Sequence, residues 1–118
     1  MELIIDTSTK YATLAISNQG EMVAELSWES NRNHSVELLP TLWELLNLRG
    51  YSKNVFEAVV VATGPGSFSS VRVGLSTAKS FAAGSDIPIV GIPTILAETI
   101  PYSGLGRRVM GLIPAGGR

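Results

Sequence analysis

Hydroxyl and carboxylate side chains follow the first apolar run of the sequence. The motif Asp6-Thr7-Ser8-Thr9 comes directly after the apolar residues 3–5. A carboxylate beside hydroxyl groups at a strand end can hold a phosphate and its metal ion. The same residue types also form turns whose side chains satisfy nearby backbone groups. The sequence favours the self-contained turn and leaves phosphate binding by this motif as the alternative.

A glycine-rich turn, Gly64-Pro65-Gly66-Ser67-Phe68, separates an apolar run from a predicted helix. Glycines in such a turn let backbone amides approach a phosphate or another chain, so Gly64 and Gly66 are candidate phosphate contacts. The phosphate-loop pattern fails because Ser70 stands where it requires lysine. The dinucleotide fingerprint is incomplete because Ser69 replaces its third glycine. A tight turn without a ligand remains open as well.

His34 is the only histidine of the chain, and there is no cysteine. A helical metal site would need a second ligand one turn later, where Leu38 stands. The sequence therefore predicts a capping or surface role for His34, no metal site and no catalytic residue. Nucleophilic hydrolysis is unsupported, because no serine has a histidine and an acid as evident partners.

Short apolar runs predict the sheet that must position these residues. The second and third runs are expected to pair antiparallel across the turn Asn18-Gln19-Gly20, and the third alternates with glutamates. The fourth run is rich in valine and is predicted as the central strand. The fifth is predicted as another buried strand, parallel to the fourth. The five runs are residues 3–5, 14–16, 22–28, 58–62 and 89–92.

Two amphipathic helices are predicted, over residues 35–48 and 69–83. Gly50 is placed to end the first helix. The second carries small residues at helical spacing, which permit close approach of another helix, with Arg72 and Lys79 at the rim of that contact. The apolar helix faces predict a partner interface, with packing of the helix on the sheet as the more usual alternative. Its residues are Leu38, Leu42, Leu45, Val71, Gly74, Leu75, Ala78 and Ala82.

Composition bounds the size and class of the protein. The chain has 118 residues, is 45% hydrophobic and carries a formal charge of −1, which suits one core in a soluble, cytoplasmic protein. A last apolar run at residues 109–113 predicts a strand without neighbours. We therefore expect residues 1–104 to form a first lobe and residues 105–118 to begin a truncated second lobe.

The motifs together resemble the bacterial TsaB (YeaZ) family. Five segments agree with it in order and spacing up to about residue 96, although Ser69-Ser70 stands where the family usually has Thr-Gly. The resemblance implies an α/β fold, an actin-like ATPase or ribonuclease-H-like lobe with helices packed on a mixed five-stranded sheet. The segments are Ile4-Ile5-Asp6-Thr7-Ser8-Thr9, His34-Ser35-x-x-Leu38-Leu39-Pro40, Gly64-Pro65-Gly66-Ser67-Phe68, Arg72-Val73-Gly74-Leu75 and Ile87-Pro88-Ile89-Val90-Gly91-Ile92.

The resemblance also implies a function. TsaB is the non-catalytic scaffold of the machinery that makes threonylcarbamoyladenosine next to the anticodon of tRNA. It pairs through first-lobe helices with the catalytic paralogue TsaD and works with the ATPase TsaE. In isolation it forms a homodimer, and it contacts tRNA through the complex. ATP and magnesium belong to that complex rather than to this chain alone. The alternatives are an actin-like ATP-binding phosphotransferase that uses Asp6 and its turn and, ranked last, a glycoprotease-like peptidase.

Overall fold

Five strands form one mixed sheet in the computed structural model, which describes residues 1–30, 34–66 and 68–94. The prediction of a mixed five-stranded sheet is confirmed. The predicted strand at residues 109–113 and the lobe boundary at residue 104 lie outside the described residues. The strands are β1 (Glu2–Asp6), β2 (Tyr11–Asn18), β3 (Glu21–Glu29), β4 (Ala58–Ala62) and β5 (Ile89–Ile92).

The strand order is β3-β2-β1-β4-β5, which places β1 at the centre. β1 pairs antiparallel with β2 and parallel with β4, so that Ile4 lies opposite both Ala15 and Val60. The prediction that β4 is the central strand was wrong. Its run of valines indicates a strand covered on both faces, and such a local pattern does not reveal the order of the strands.

β5 is an edge strand among the described residues. It pairs parallel with β4, with Ile89 opposite Val59 and Val90 opposite Val60. The parallel pairing was predicted correctly. The prediction of a buried strand was wrong, because no described element lies beyond β5 and both Ile89 and Val90 are exposed.

The β2–β3 hairpin turns at Gln19 and Gly20, whose φ angles are 52° and 82°. These angles lie in the left-handed region, which glycine adopts without strain. Asn18 pairs with Glu21 across the turn. The predicted antiparallel hairpin is therefore confirmed, and β3 exposes glutamates to solvent as its alternation indicated.

Two helices pack on the sheet: α1 (His34–Arg49) lies between β3 and β4 in the chain, and α2 (Phe68–Ser85) connects the parallel strands β4 and β5. α1 ends where Gly50 adopts a φ of 70° and the Tyr51 backbone N–H donates to the Leu46 carbonyl at 2.9 Å. Both predicted helices are confirmed, each one or two residues longer than expected at its ends. Within the described part of the chain, neither helix is long and apolar enough to cross a membrane.

The core fills the space between the two helices and one face of the sheet. Phe56, which precedes β4, and Phe81 of α2 meet edge to face with ring centroids 5.6 Å apart. The alternation of side chains along a strand explains why every second residue of β1, β2 and β4 contributes. The core strand residues are Leu3, Ile5, Leu14, Ile16, Val59 and Val61.

Candidate functional site

The turn after β1 folds its polar side chains onto its own backbone. Asp6, Thr7 and Ser8 are buried. The Asp6 Oδ1 accepts a hydrogen bond from the Ser8 backbone N–H at 2.9 Å and another from the Ser8 hydroxyl. Thr9, at the exposed end, accepts from the Tyr11 backbone N–H through its Oγ1 at 3.2 Å. These contacts form a self-contained turn.

Thr7 joins this turn to α2. Its Oγ1 donates a hydrogen bond to the Ser70 carbonyl oxygen at 2.5 Å. One turn further along α2, a Cβ placed on Gly74 would lie 2.5 Å from the Thr7 Oγ1 and 3.6 Å from its Cγ2. Only a residue without a side chain leaves room for Thr7 at this point, so Gly74 permits the close packing of α2 on the end of β1.

Gly66 lies against the same turn. A Cβ on Gly66 would be 2.8 Å from the Ser8 Cβ and 3.0 Å from the Ser8 carbonyl carbon. Gly64, whose φ is 113°, accepts a hydrogen bond through its carbonyl from the Thr94 N–H at 2.9 Å. The structure thus gathers most of the candidate phosphate residues at the carboxyl ends of β1 and β4, where they contact one another.

The outer sides of α1 and α2 form the second notable feature, which we call the helix-pair surface. Trp43 of α1 packs against Phe81 of α2 with ring centroids 6.4 Å apart, which joins the two helices. An open groove of about 420 Å³ runs along α2 beside the start of α1. We define the helix-pair surface by its exposed residues Val36, Leu39, Trp43, Arg72, Ser76 and Lys79.

Residues 21–102 match the family model described as TsaD: tRNA N6-adenosine threonylcarbamoyltransferase. The chain belongs to this family. It is 36% identical over 111 residues to the tRNA threonylcarbamoyladenosine biosynthesis protein TsaB of Bacillus subtilis, covering 94% of this chain and 47% of that protein. It is 33% identical over 94 residues to TsaB of Escherichia coli, covering 80% and 40%. The resemblance to TsaB is confirmed.

Solved structures share the fold. YeaZ from Pseudomonas aeruginosa matches with a TM-score of 0.76 and 26% identity, over 86% of this chain and 48% of that chain. Thermus thermophilus RuvC matches with a TM-score of 0.53 and 12% identity, over 83% and 66%. The predicted actin-like, ribonuclease-H-like fold is confirmed. The chain spans about half the length of the TsaB relatives it matches.

The polar side chains of the turn in this TsaB-related chain make hydrogen bonds within the chain. The hydroxyl groups of Thr7 and Ser8 already donate within the chain, and Gly66 closes directly on Ser8. The described residues contain no group of three or more histidine, cysteine, aspartate or glutamate side chains that could hold a metal ion. The contacts show that the turn packs β1 against α2, and phosphate binding by its residues stays a prediction.

Most residues predicted for the partner interface lie in the core. An apolar stripe on a helix packs on the sheet first, because that contact is intramolecular and removes the stripe from water. Gly74 faces Thr7, and Leu75 is half-buried. The buried members are Leu38, Leu42, Leu45, Val71, Ala78 and Ala82.

The sequence analysis missed three apolar residues that α1 exposes on one side, apart from Leu48 near its end. Val36 is 72% exposed, Leu39 46% and Trp43 44%. They recur at positions i, i+3 and i+7, a helical spacing as regular as that of the buried stripe. The signal was therefore present in the sequence, but it indicates a second apolar side only after the first has been assigned to the sheet.

His34 is buried rather than exposed. It begins α1 and is 3% exposed, and its Nε2 has no hydrogen-bond partner among the described residues. Of the predicted capping or surface role, the surface alternative was wrong, and the capping alternative stays a prediction. Nearby, the Glu37 Oε1 accepts hydrogen bonds from the Ser30 hydroxyl at 2.5 Å and from the Trp28 Nε1–H at 3.4 Å. These bonds attach the first turn of α1 to the end of β3 and bury the start of the helix.

Proposed function

We propose that this chain is a scaffold unit of the machinery that makes threonylcarbamoyladenosine in tRNA, and that it pairs with a catalytic TsaD-type paralogue through the helix-pair surface. The names of its TsaB relatives support the process. The observation that carries the pairing is the exposure of Leu39 and Trp43 on the outer side of α1. Large apolar side chains grouped on one side of a helix are typical of a docking surface.

The energetics of pairing rest on the three exposed apolar residues on one side of α1. Full burial of such a side chain contributes about 1.5–3 kcal/mol, so covering the exposed parts of Val36, Leu39 and Trp43 contributes about half of that for each. Tryptophan is also enriched among the residues that dominate binding energies. Association entropy opposes binding, so further contacts along α2 are needed for a stable pair.

The remaining partners follow from the same proposal. A TsaE-type ATPase binds to the pair, and tRNA binds to the resulting complex. The complex works in the cytoplasm. A second copy of this chain occupies the helix-pair surface when the paralogue is absent. The hydroxyl groups of Thr7 and Ser8 already donate hydrogen bonds within the chain. This supports the proposal that the partners, rather than this chain, bind ATP and magnesium and catalyse the reaction.

Co-purification with a TsaD-type protein tests the pairing. Leu39→Asp and Trp43→Asp each place a charge on the helix-pair surface, and we expect each to reduce recovery of the partner about tenfold or more. The matched control is Val90→Asp, because Val90 is 46% exposed, as Leu39 is, and lies on the edge strand β5. Gly74 and Ala78 are unsuitable sites, since substitutions there disturb the core.

Circular dichroism of each variant shows whether it is folded. Recovery of the partner at the wild-type level by folded Leu39→Asp and Trp43→Asp variants would contradict the proposed pairing. Equal loss with Val90→Asp would show that the effect does not belong to the helix-pair surface.

A further inference from the structure

The two helices run side by side in the same direction. Near their starts, Ser35 of α1 and Ser76 of α2 line one groove. Further along, Trp43 of α1 packs against Phe81 of α2. At a rise of about 1.5 Å per residue, Trp43 lies about 12 Å beyond Ser35, and Phe81 lies about 8 Å beyond Ser76. Residues next to Trp43 and Phe81 therefore lie at the same level of the helix pair.

A carboxylate and an ammonium group lie near this level, one on each helix. Glu44 follows Trp43 on α1, and Lys79 precedes Phe81 by two positions on α2. Both side chains are exposed, and neither makes an ion pair among the described residues. At about 100° per residue, Glu44 is turned about 200° from the core residue Leu42, and Lys79 about 200° from Phe81. Glu44 therefore lies beyond Trp43 at the outer rim of α1, and Lys79 lies at the rim of α2 away from α1.

Between these two rims, the helices differ in the size of their exposed side chains. α1 exposes Leu39 and Trp43, whereas α2 exposes Ser76 and Ser80. Large side chains of one helix pack closely over small side chains of another. The α1 side of the helix-pair surface is therefore complementary in shape to the α2 side, rather than to a second α1.

We infer that a second copy of this chain docks with its α1 on the α2 of the first, so that Glu44 of each copy pairs with Lys79 of the other. The inference rests on the proposed function, which places a second copy on the helix-pair surface when the paralogue is absent. It adds the arrangement of the two copies and the two ion pairs that select it.

A twofold axis parallel to the helices produces this arrangement. Such an axis exchanges the two sides of the surface and keeps the level along the helices, so each α1 lies on the α2 of the other copy. The Glu44 rim of one copy then meets the Lys79 rim of the other. Their levels differ by about 5 Å, a distance that the long lysine side chain spans. Opposite charges placed in this way favour the correct register of an interface.

A twofold axis across the helices gives the opposite result. Each helix then lies antiparallel to its own equivalent, so that Glu44 shares a rim with Glu44 of the other copy and Lys79 shares a rim with Lys79. Like charges along a rim weaken binding. The large side chains of the two α1 helices also meet each other, while the serines of the two α2 helices face one another and fill little space. Charge and shape therefore favour α1 on α2.

Charge-reversed variants test the arrangement. Glu44→Lys and Lys79→Glu each turn both ion pairs into repulsions, so we expect each variant to self-associate about tenfold more weakly than the wild-type chain at low salt. The double variant Glu44→Lys/Lys79→Glu forms both pairs with the charges exchanged and should associate within about threefold of the wild-type chain. The two single variants, when mixed, should bind each other about tenfold or more tightly than either binds itself. Sedimentation velocity with one chain fluorescently labelled makes the measurement.

A neutral variant separates the two arrangements. With α1 on α2, Glu44→Gln removes both attractions and should weaken self-association about threefold. With each helix on its own equivalent, the same change removes a repulsion and should strengthen self-association. Circular dichroism shows whether each variant is folded.

The matched control is Glu25→Lys on β3, which makes the same change of charge away from the helices. Glu25 is exposed and lies opposite Ala15. Ala15 alternates with the core residues Leu14 and Ile16, so Glu25 lies on the other face of the sheet. The variant should associate as the wild-type chain does. In about 0.5 M salt, the differences among all variants should fall below about twofold, because salt screens charges at an exposed rim.

Three results overturn the inference: unchanged self-association of both folded single variants, no recovery in the folded double variant, or a wild-type chain that stays monomeric at about 100 μM. The last result would leave the paralogue as the occupant of the surface. Failure here is separable from failure of the proposed function, which is tested by recovery of the paralogue. If Leu39→Asp and Trp43→Asp lose the paralogue while the charge variants associate as the wild-type chain does, the pairing stands and the arrangement of α1 on α2 fails.

Discussion

Gly74 on α2 and Thr7 after β1 occupy complementary space: a Cβ on Gly74 would lie 2.5 Å from the Thr7 Oγ1. That oxygen is fixed by its hydrogen bond to the Ser70 carbonyl, and Thr7 is 2% exposed. The threonine side chain therefore has little freedom to move aside. The glycine is required by packing rather than by backbone conformation.

The first prediction concerns Gly74→Ala. Alanine favours a helix over glycine by about 1 kcal/mol, whereas overpacking a core costs about 1–3 kcal/mol and the displaced threonine also loses a hydrogen bond worth about 1 kcal/mol. We expect a net loss of about 1–3 kcal/mol in the free energy of unfolding, measured by urea denaturation.

The matched control for Gly74→Ala is Gly84→Ala on the same helix. A Cβ there meets only the Lys53 Nζ, at 4.0 Å, so the variant should gain stability, by up to about 1 kcal/mol. In the double variant Thr7→Ala/Gly74→Ala the loss should be smaller than the sum of the single losses by about 1 kcal/mol. A gain in stability by Gly74→Ala similar to that of Gly84→Ala would refute the contact.

The second prediction compares two glycines that are needed for different reasons. Gly66→Ala forces its Cβ against the Cβ and the backbone of Ser8, which must shift, so we expect a loss of about 2–3 kcal/mol. A Cβ on Gly20 would have nothing within 4 Å, so Gly20→Ala causes no clash. Its expected cost of about 1–2 kcal/mol comes only from placing alanine at a φ of 82°. Urea denaturation measures both, and the reverse order of losses would contradict the packing of Gly66 on Ser8.

The third prediction concerns Glu37, which links α1 to the end of β3. Glu37→Ala removes the acceptor of the Ser30 hydroxyl, whose bond is 2.5 Å long, and should cost about 1.5–3 kcal/mol. Glu37→Gln keeps an acceptor oxygen and should cost less. Glu44→Ala on the exposed side of the same helix should change stability by at most about 0.5 kcal/mol. Equal losses for Glu37→Ala and Glu44→Ala, measured by thermal and urea unfolding, would show that the link is unimportant.

The fourth prediction concerns nucleotide binding by the turn after β1. Because Asp6, Thr7 and Ser8 are bonded to one another or to α2, we expect no saturable heat when ATP and magnesium are titrated into the chain at millimolar concentration. Isothermal titration calorimetry makes the measurement. One-to-one binding that disappears in Thr7→Ala would restore the phosphotransferase alternative.

The sequence by itself determined the elements and the family. Alternation in residues 22–28, the turn at Gln19 and Gly20 and the helical spacing in both helices are local signals, and local backbone preferences produced the structures they indicate. The ordered set of motifs also identified the TsaB resemblance, because their agreement does not depend on knowing which residues touch.

Tertiary structure alone decided which strand is central, which apolar residues are buried and what the polar turn contacts. β1 lies between β2 and β4 because, besides its local pairing with β2, it pairs with β4, which is far along the chain. Leu38 is buried in the core, whereas its neighbour Leu39 is exposed, because the sheet covers only one side of α1. Thr7 and Gly74 are 67 positions apart, and no local pattern connects them. Long-range packing brings them together, and it makes the candidate phosphate turn a close contact between β1 and α2.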